Sequence, residues 1–376
     1  MINLSVEFDI KGKPSTLSLS IGPQHPGSGH FRLVITVDGD IITDIYPDPG
    51  YVHRGAEKMA EHRDYFQNIP HLERPVIIDS TGITLPFCLA VEKLMDKEAP
   101  PRAQYLRIIM AELNRIISHL YWLGIYGPFL GHTTMFMWPM GDRELFIDLA
   151  EMIGGQRVTF AYTIPGGVRN DMPENFKDKA LKIFDHFERR LKEYDDVFIT
   201  NPITDKRTKG IGVVKKADAI DIGLTGPNLR ASNVKSDIRI DEPYCLYDEL
   251  DIKNNIPVLS EGDCWARMMI RRIELHESME IIKKALKRIP DGPVKLPFRG
   301  AVRVPEGKIF VRTEAARGVM GYYLISDGGK TPYRVKLSVP SFRSIPGMPI
   351  ALKNVRIGDM PPIYWSFDYW PVEADK

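Results

Sequence analysis

The chain has 376 residues, 43% of them hydrophobic and 26% charged, and a formal net charge of +1. This is the composition of a soluble globular protein with room for one large domain or two ordinary ones, and the balanced charge excludes nucleic acid as its main partner. Its three cysteines, Cys88, Cys245 and Cys264, are far apart and form no CxxC or Cys–His pair, so their spacing signals neither a disulfide framework nor a metal knuckle.

The opening MINLSVEFDIKGK lacks the basic-then-apolar layout of a signal peptide, which predicts a cytoplasmic setting. LSVEFDI, STLSLSI and FRLVITVDGDIITDIYP follow as strands, with a hairpin at Asp38-Gly39-Asp40. Helical patterns then cover Glu57 to Gln67, Phe87 to Asp96, Arg102 to Leu123 and Glu144 to Ile153. Ile116 to Met140 carries no formal charge over 25 residues, longer than the ~20 that span a bilayer. It also holds Gly124, Gly127, Pro128, Gly131 and Pro139, and a helix broken there would strand amides in lipid. The stretch reads as the end of a helix plus a buried loop.

Glu174 to Val197 is amphipathic, with Ala180, Leu181, Ile183, Phe184, Phe187 and Leu191 on one side. A loop-rich region with a short helix near Ala217 to Ile222 precedes a long helix from Asp263 to Ile289, closed by Pro290-Asp291-Gly292. Three short strands, KIFVRTEAARG, GVMGYYLISDG and PYRVKLSVPSF, lie in the last part of the chain. Strands, then a helical bundle, then irregular β argue for an α+β fold. The segments are 1–50 (N-terminal β-rich domain), 51–292 (helical bundle with a loop insertion) and 293–376 (irregular β segment and tail).

Seven stretches, GPQHPGSGHFRL, YVHRGAEK, LAVEKL, AELNRIISHLYWLG, IPGGVRNDMP, RGVMGYYLISDGGKTPYR and the terminal ADK, occur in an order that resembles the hydrogenase-like large subunit of complex I and of energy-converting membrane hydrogenases. The resemblance implies a nickel–iron hydrogenase large-subunit-like fold, docked on a membrane arm beside a small subunit holding a four-iron cluster. In the hydrogenase relatives two CxxC pairs bind nickel and iron. Here the first pair would fall at Val76 and Asp79 and the second in the cysteine-free GDMPPIYWSFDYWPVEADK, so hydrogen chemistry is not expected and this chain is expected to bind no metal.

In complex I a tyrosine and a histidine bind the quinone headgroup, and an aspartate pairs with that histidine. The matching positions here are Phe87, His30 and Phe129, with His30 in a loop one residue short of the usual form; a further histidine near the cluster corresponds to Thr159. Most of the quinone equipment is therefore replaced. That pattern resembles archaeal membrane-bound sulfane sulfur reductases. The implied partners are the small iron–sulfur subunit, a ferredoxin-like cluster subunit and antiporter-like membrane subunits, with ferredoxin as electron source and polysulfide as acceptor. Quinone or methanophenazine reduction is the alternative, and a structural or assembly subunit without its own chemistry is the rival of another class. The implied location is the cytoplasmic face of the membrane, peripheral, without a transmembrane helix.

By the same resemblance His30, Asp79 and Phe87 mark the reaction chamber, and His53 and Arg54 of the HRG loop face the partner cluster. Arg74 and Arg157 either line that chamber or hold carboxylates in the bundle. Asp79 is either a proton acceptor or the buried partner of Arg74, with the ion pair preferred. His119 reads as a packed core histidine with one hydrogen bond, and the aromatic run Tyr364 to Trp370 as an interface plug.

Overall fold

The computed structural model describes residues 16–25, 27–253, 256–298 and 302–376; the first expected strand, LSVEFDI, lies outside them. Strands β1 (Thr16–Ile21), β2 (Arg32–Asp38) and β3 (Ile41–Asp48) form an antiparallel sheet in that order. β2 alternates between buried and half-buried residues, the signature of a sheet with one face on a core.

Short helices α1 (Ala56–Ala60) and α2 (Asn68–Glu73), then a 3-10 turn at Arg74–Asp79, lead into α3 (Ser80–Leu94). The single helix expected over Glu57 to Gln67 is thus not formed. The Asp64 carboxylate accepts from the Phe66 and Gln67 amides, and the Asn68 amide donates to Ala60 O, so the chain turns between two helices instead.

α4 (Pro101–Phe129) and α5 (Thr134–Gly154) make a long antiparallel hairpin. This corrects the expected loop after Leu123. Gly124 and Gly127 stay helical because α5 packs against them, with Met140 and Met135 where their side chains would be. The tight connection needs only Gly131 at φ +88°. Among the described residues the run long and apolar enough to cross a membrane is instead Asn68–Leu94, and 83% of its apolar window is buried within the protein.

A two-stranded ribbon, β4 (Thr163–Ile164) with β5 (Gly167–Val168), precedes α6 (Phe176–Tyr194). α6 buries Ala180, Ile183, Phe184, Phe187 and Leu191, as its periodicity predicts. Four short helices follow: α7 (Pro202–Thr208), α8 (Lys216–Asp221), α9 (Gly226–Arg230) and α10 (Ile238–Asp241). α11 (Cys264–Arg288) starts where Asp263 caps it, accepting from the Ala266 amide at 2.7 Å.

A second antiparallel sheet joins β6 (Gly307–Ala315), β7 (Gly318–Ser326) and β8 (Arg334–Ser338). The expected irregular β tail is in fact helical beyond β8: α12 (Pro340–Ser344), α13 (Gly347–Leu352), α14 (Met360–Ser366) and α15 (Pro371–Ala374). Prolines in the first turns of α12, α14 and α15 open helices here, because proline's fixed φ suits the first turn and its missing N–H has no partner there anyway. The fold is α+β. The sequence segments do not each own a core: the N-terminal sheet, bundle and C-terminal helices share one, and α3 with the second sheet builds another.

Candidate functional site

Several motif residues act on one another before they act on any ligand. Glu92 of LAVEKL pairs with Arg107 and accepts from the Gly166 amide of IPGG at 2.6 Å, tying α3 and α4 to the ribbon. Asn114 and Arg115, from AELNR on α4, hold the turn between β6 and β7. Arg115 donates to the carbonyls of Ala315 (2.9 Å) and Glu314 (2.8 Å), and Asn114 Nδ2 donates to Asp79 at 2.7 Å. Asp79 also accepts from the Gly82 and Ala316 amides, at 3.2 and 2.9 Å. A side chain at Gly82 would meet the Asp79 carboxylate at 2.3 Å, so glycine is required for that approach. Gly318, at φ +134° and against Thr225, lets the chain turn sharply after Arg317 and aim it inward.

Arg317 lies in the interior with Asp79, Asp368 and Glu373. Its Nε is 3.4 Å from Asp368 Oδ1 and 3.8 Å from Glu373 Oε2, and none of its nitrogens makes a hydrogen bond among the described residues. Arg271 approaches the other oxygen of Asp368 at 3.6 Å. Burial pushes the carboxyl of Glu373 up to about 7, against the pull of Arg317 and a hydrogen bond from Ser341. Burial likewise raises Asp79, outweighing Arg317 and the amide donors.

The HRG loop is clamped by the last residues of the chain. Asp375 accepts from the Gly50 and Val52 amides at 2.9 and 3.0 Å, and its carbonyl lies 2.5 Å from His53 Nδ1. α15 packs against the 3-10 turn Arg74–Asp79, where Asp79 faces Glu373. Arg54 and Arg74 are exposed, and neither has an ion pair among the described residues. Asp79 is buried without Arg74, which corrects the expected pair: its partners are Asn114 and two backbone amides.

On the opposite side of Trp370 a groove of about 540 Å³ is lined by His30, Tyr121, Ile125, Phe129, Trp365 and Trp370. Phe129 stacks on Trp365 with centroids 5.0 Å apart, and Arg317 lies 5.9 Å from the Trp370 ring. Trp370 thus separates the groove from the buried charges. Tyr364 donates to Ser28 O and Trp365 Nε1 to Gly27 O, fixing the loop that presents His30 at φ +72°. The aromatic run is therefore a packed wall of this chain, with Trp370 half-buried at its end.

The expected residues do not all meet. His30 opens into the groove and Phe129 stands beside it, whereas Phe87 is fully buried in the second core against Tyr322, ring centroids 5.5 Å apart. Phe87 therefore does not line the groove, because its helix face is covered by β7. Arg157 holds carboxylates: it ion-pairs with Glu144, Asp148 and Glu151 on the outer end of α5. His119 is the expected core histidine, 2.7 Å from Glu274. Sequence reasoning missed Asp368, Glu373 and Arg271, whose only signal was charge inside apolar stretches.

The thiols do not suit a nickel–iron centre. Cys88 and Cys264 are buried and Cys245 half-buried, all free; burial raises each, and none adjoins Asp79. Glu188, His276 and Glu280 present ligand atoms within 4.8 Å, but His276 pairs with Glu188 and Glu280 with Lys283.

Comparison with known proteins places this architecture. The family described as the respiratory-chain NADH dehydrogenase 49 Kd subunit matches residues 130–299 and 296–376. NADH-quinone oxidoreductase subunit 4 of Thermus thermophilus is 38% identical, over 96% of this chain and 94% of its own length. An F(420)H(2) dehydrogenase subunit of Methanosarcina mazei is 40% identical over 95% and 96%. A chain of the membrane-bound sulfane sulfur reductase, an archaeal respiratory membrane complex, superposes with a TM-score of 0.92 at 37% identity, covering 98% of this chain and all of that one. The chain belongs to the 49 Kd subunit family of respiratory-chain NADH dehydrogenases.

Proposed function

We propose that this chain is the large, hydrogenase-like subunit of a membrane-bound, ion-translocating oxidoreductase, and that it forms a reaction chamber beside a four-iron cluster held by a small partner subunit. The favoured reaction is ferredoxin-driven reduction of sulfane sulfur or polysulfide. The observation that carries this reading is the groove: where complex I has an acid to pair with the headgroup histidine, Phe129 stacks on Trp365 beside His30. A quinone oxygen accepts hydrogen bonds, and the stacked faces of Phe129 and Trp365 at this position offer it none. The likeness to a sulfane sulfur reductase chain over 98% of the sequence supports the same reading. His30 and Tyr121 keep donors in the groove, and this favours quinone or methanophenazine reduction as the second reading.

In this assignment the chain sits peripherally on the cytoplasmic face of the membrane, with the ferredoxin-like and antiporter-like subunits as further partners. It holds no cofactor of its own. His53, Arg54 and Arg74 face the partner cluster, where a cation favours the reduced state. The purified complex, given a low-potential donor, should reduce polysulfide and show little activity with quinones; brisk, inhibitor-sensitive quinone reduction overturns the sulfur assignment. Arg54→Met should lower the potential of one cluster in an electron paramagnetic resonance titration of the complex. Unchanged potentials in an assembled variant would remove Arg54 from the chamber.

A further inference from the structure

The last third of α4 turns one face away from the core. Tyr121, Ile125 and Phe129 are half-buried and Pro128 is exposed, whereas Trp122, Leu123, Gly124, Tyr126 and Gly127 between them are buried. Residues four apart share a helix face, so this stripe is what α4 shows to the groove, and all four of its members line it. Three of them are apolar. Tyr121 is the one that carries a hydroxyl.

Its ring is held from two sides. The Arg143 guanidinium of α5 lies 5.5 Å from the ring centre, and Arg143 Nε donates to Ile117 O, one turn earlier on α4, at 3.2 Å. The Trp370 ring meets it edge-on, with centroids 6.0 Å apart at 84°. Next along the chain, Trp122 Nε1 donates to Trp365 O at 2.7 Å, which locks α4 against the aromatic wall. The Tyr121 hydroxyl makes no hydrogen bond among the described residues, and unlike the Trp370 indole N–H it is not sealed in. Burial raises Tyr121 above the usual phenol range, against the pull of Arg143 and Arg317, so the O–H is intact at neutral pH.

We propose that Tyr121 is an acceptor-binding residue of the groove, donating a hydrogen bond to the electron-rich terminal atom on which negative charge gathers as the acceptor is reduced. This rests on the groove being the chamber of the proposed reaction. The atom is a terminal sulfur of a polysulfide or an oxygen of a quinone, and both accept from a phenol. A hydrogen bond to a charged acceptor is about twice as strong as one to a neutral acceptor, so the contact strengthens as electrons arrive. His30, on the loop across the groove's lining, is the second donor, and the stacked Phe129 and Trp365 meet the acceptor's body. The phenol keeps its proton throughout, and no bond to Tyr121 forms or breaks.

The test uses the intact complex, with polysulfide and a quinone each offered as acceptor. Tyr121→Phe keeps the ring that Arg143 and Trp370 hold, so assembly, thermal midpoint and cluster potentials should match the wild type. Its kcat/KM should fall about tenfold with whichever acceptor the wild type reduces, the effect of losing one hydrogen bond to a charged group. Tyr121→3-fluorotyrosine keeps the donor and should retain most of the wild-type value. Ile125→Trp, one turn along the same face, fills the groove without removing a donor and should block turnover. If Ile125→Trp blocks while Tyr121→Phe keeps its full kcat/KM, the groove stands and Tyr121 only packs there, which overturns the proposal. A Tyr121→Phe complex that fails to assemble makes the hydroxyl structural and overturns it as well. If neither variant slows turnover, the groove is not the chamber and both readings fall. A tenfold loss with quinone, in a complex that ignores polysulfide, upholds Tyr121 and overturns only the sulfur assignment.

Discussion

Among the described residues, two buried groups of guanidiniums and carboxylates, one around Glu112 and one around Arg317, are built differently. Between α4, α10 and α11, Glu112 accepts from Arg115, Arg239, Tyr247 and Ser278 at 2.6–3.1 Å. Nearby, Arg230 reaches Glu274 at 2.5 Å and Glu314 at 2.8 Å. Around Arg317 the corresponding distances are 3.4 and 3.8 Å, and donors are left over. Ion pairs removed from water are tolerated when geometry and extra hydrogen bonds repay their desolvation. The first cluster meets that condition around Glu112, with Arg230 Nε the donor left over, and ties the helices together. The second is looser, with no hydrogen bond from any side-chain nitrogen of Arg317 among the described residues.

The largest effect should come from breaking the saturated cluster. Although burial opposes it, the guanidiniums of Arg115 and Arg239 hold Glu112 down to about 2. Glu112→Gln should therefore cost about 3–5 kcal/mol in denaturant unfolding, because it strands buried cations. A loss below about 1 kcal/mol would erase the distinction between the clusters. Since the folded value lies below the unfolded one, this stabilisation is present above pH 4.5 and is lost as pH falls toward 2.

Glu373 has the opposite sign. Its folded value is raised from 4.5 to about 7, so the protein binds more protons folded than unfolded across that window. Its stabilising contribution is complete below pH 4.5 and lost as pH rises through about 7. Glu73 contributes in the same sense. The denaturant midpoint of the wild type should fall between those pH values, and Glu373→Gln should flatten part of the slope. An unaltered slope would show that Glu373 does not titrate there.

A smaller effect is expected at Asp375. Asp375→Ala removes the acceptor of the Gly50 and Val52 amides, so hydrogen exchange at those two amides should accelerate while global stability drops by about 1–2 kcal/mol. Protected amides in the variant would mean that the loop is held from elsewhere. The smallest effect belongs to Arg157. Arg157→Met should leave the thermal midpoint unchanged within error, since its three carboxylate partners are exposed and screened. A drop of several degrees would give surface pairs a weight that this contrast denies them.

Legibility in the sequence followed locality. α11 could be read almost to the residue, because Asp263 caps it and Pro290-Asp291-Gly292 closes it. α6 was plain from its apolar face. α3 begins earlier than expected since Pro86 lies inside it, where the buried second sheet tolerates it. The tail was misread because its prolines sit at helix starts. His30, Phe129 and the HRG loop were singled out through family order, whereas the burial of Phe87 beneath β7 leaves no trace in a motif. The Arg317 site stayed hidden for a different reason. Its members come from a 3-10 turn, a hairpin turn and the tail, and no periodicity connects residue 79 with residues 317, 368 and 373.

The clamp made by the tail also has a consequence for the order of events during synthesis. The HRG loop, Asp79 and Arg317 leave the ribosome before Asp368, Glu373 and Asp375. Until those late residues arrive, Arg317 faces water and the loop at 50–53 has no acceptor to hold it. Closing the interior and presenting His53 and Arg54 are thus one late step.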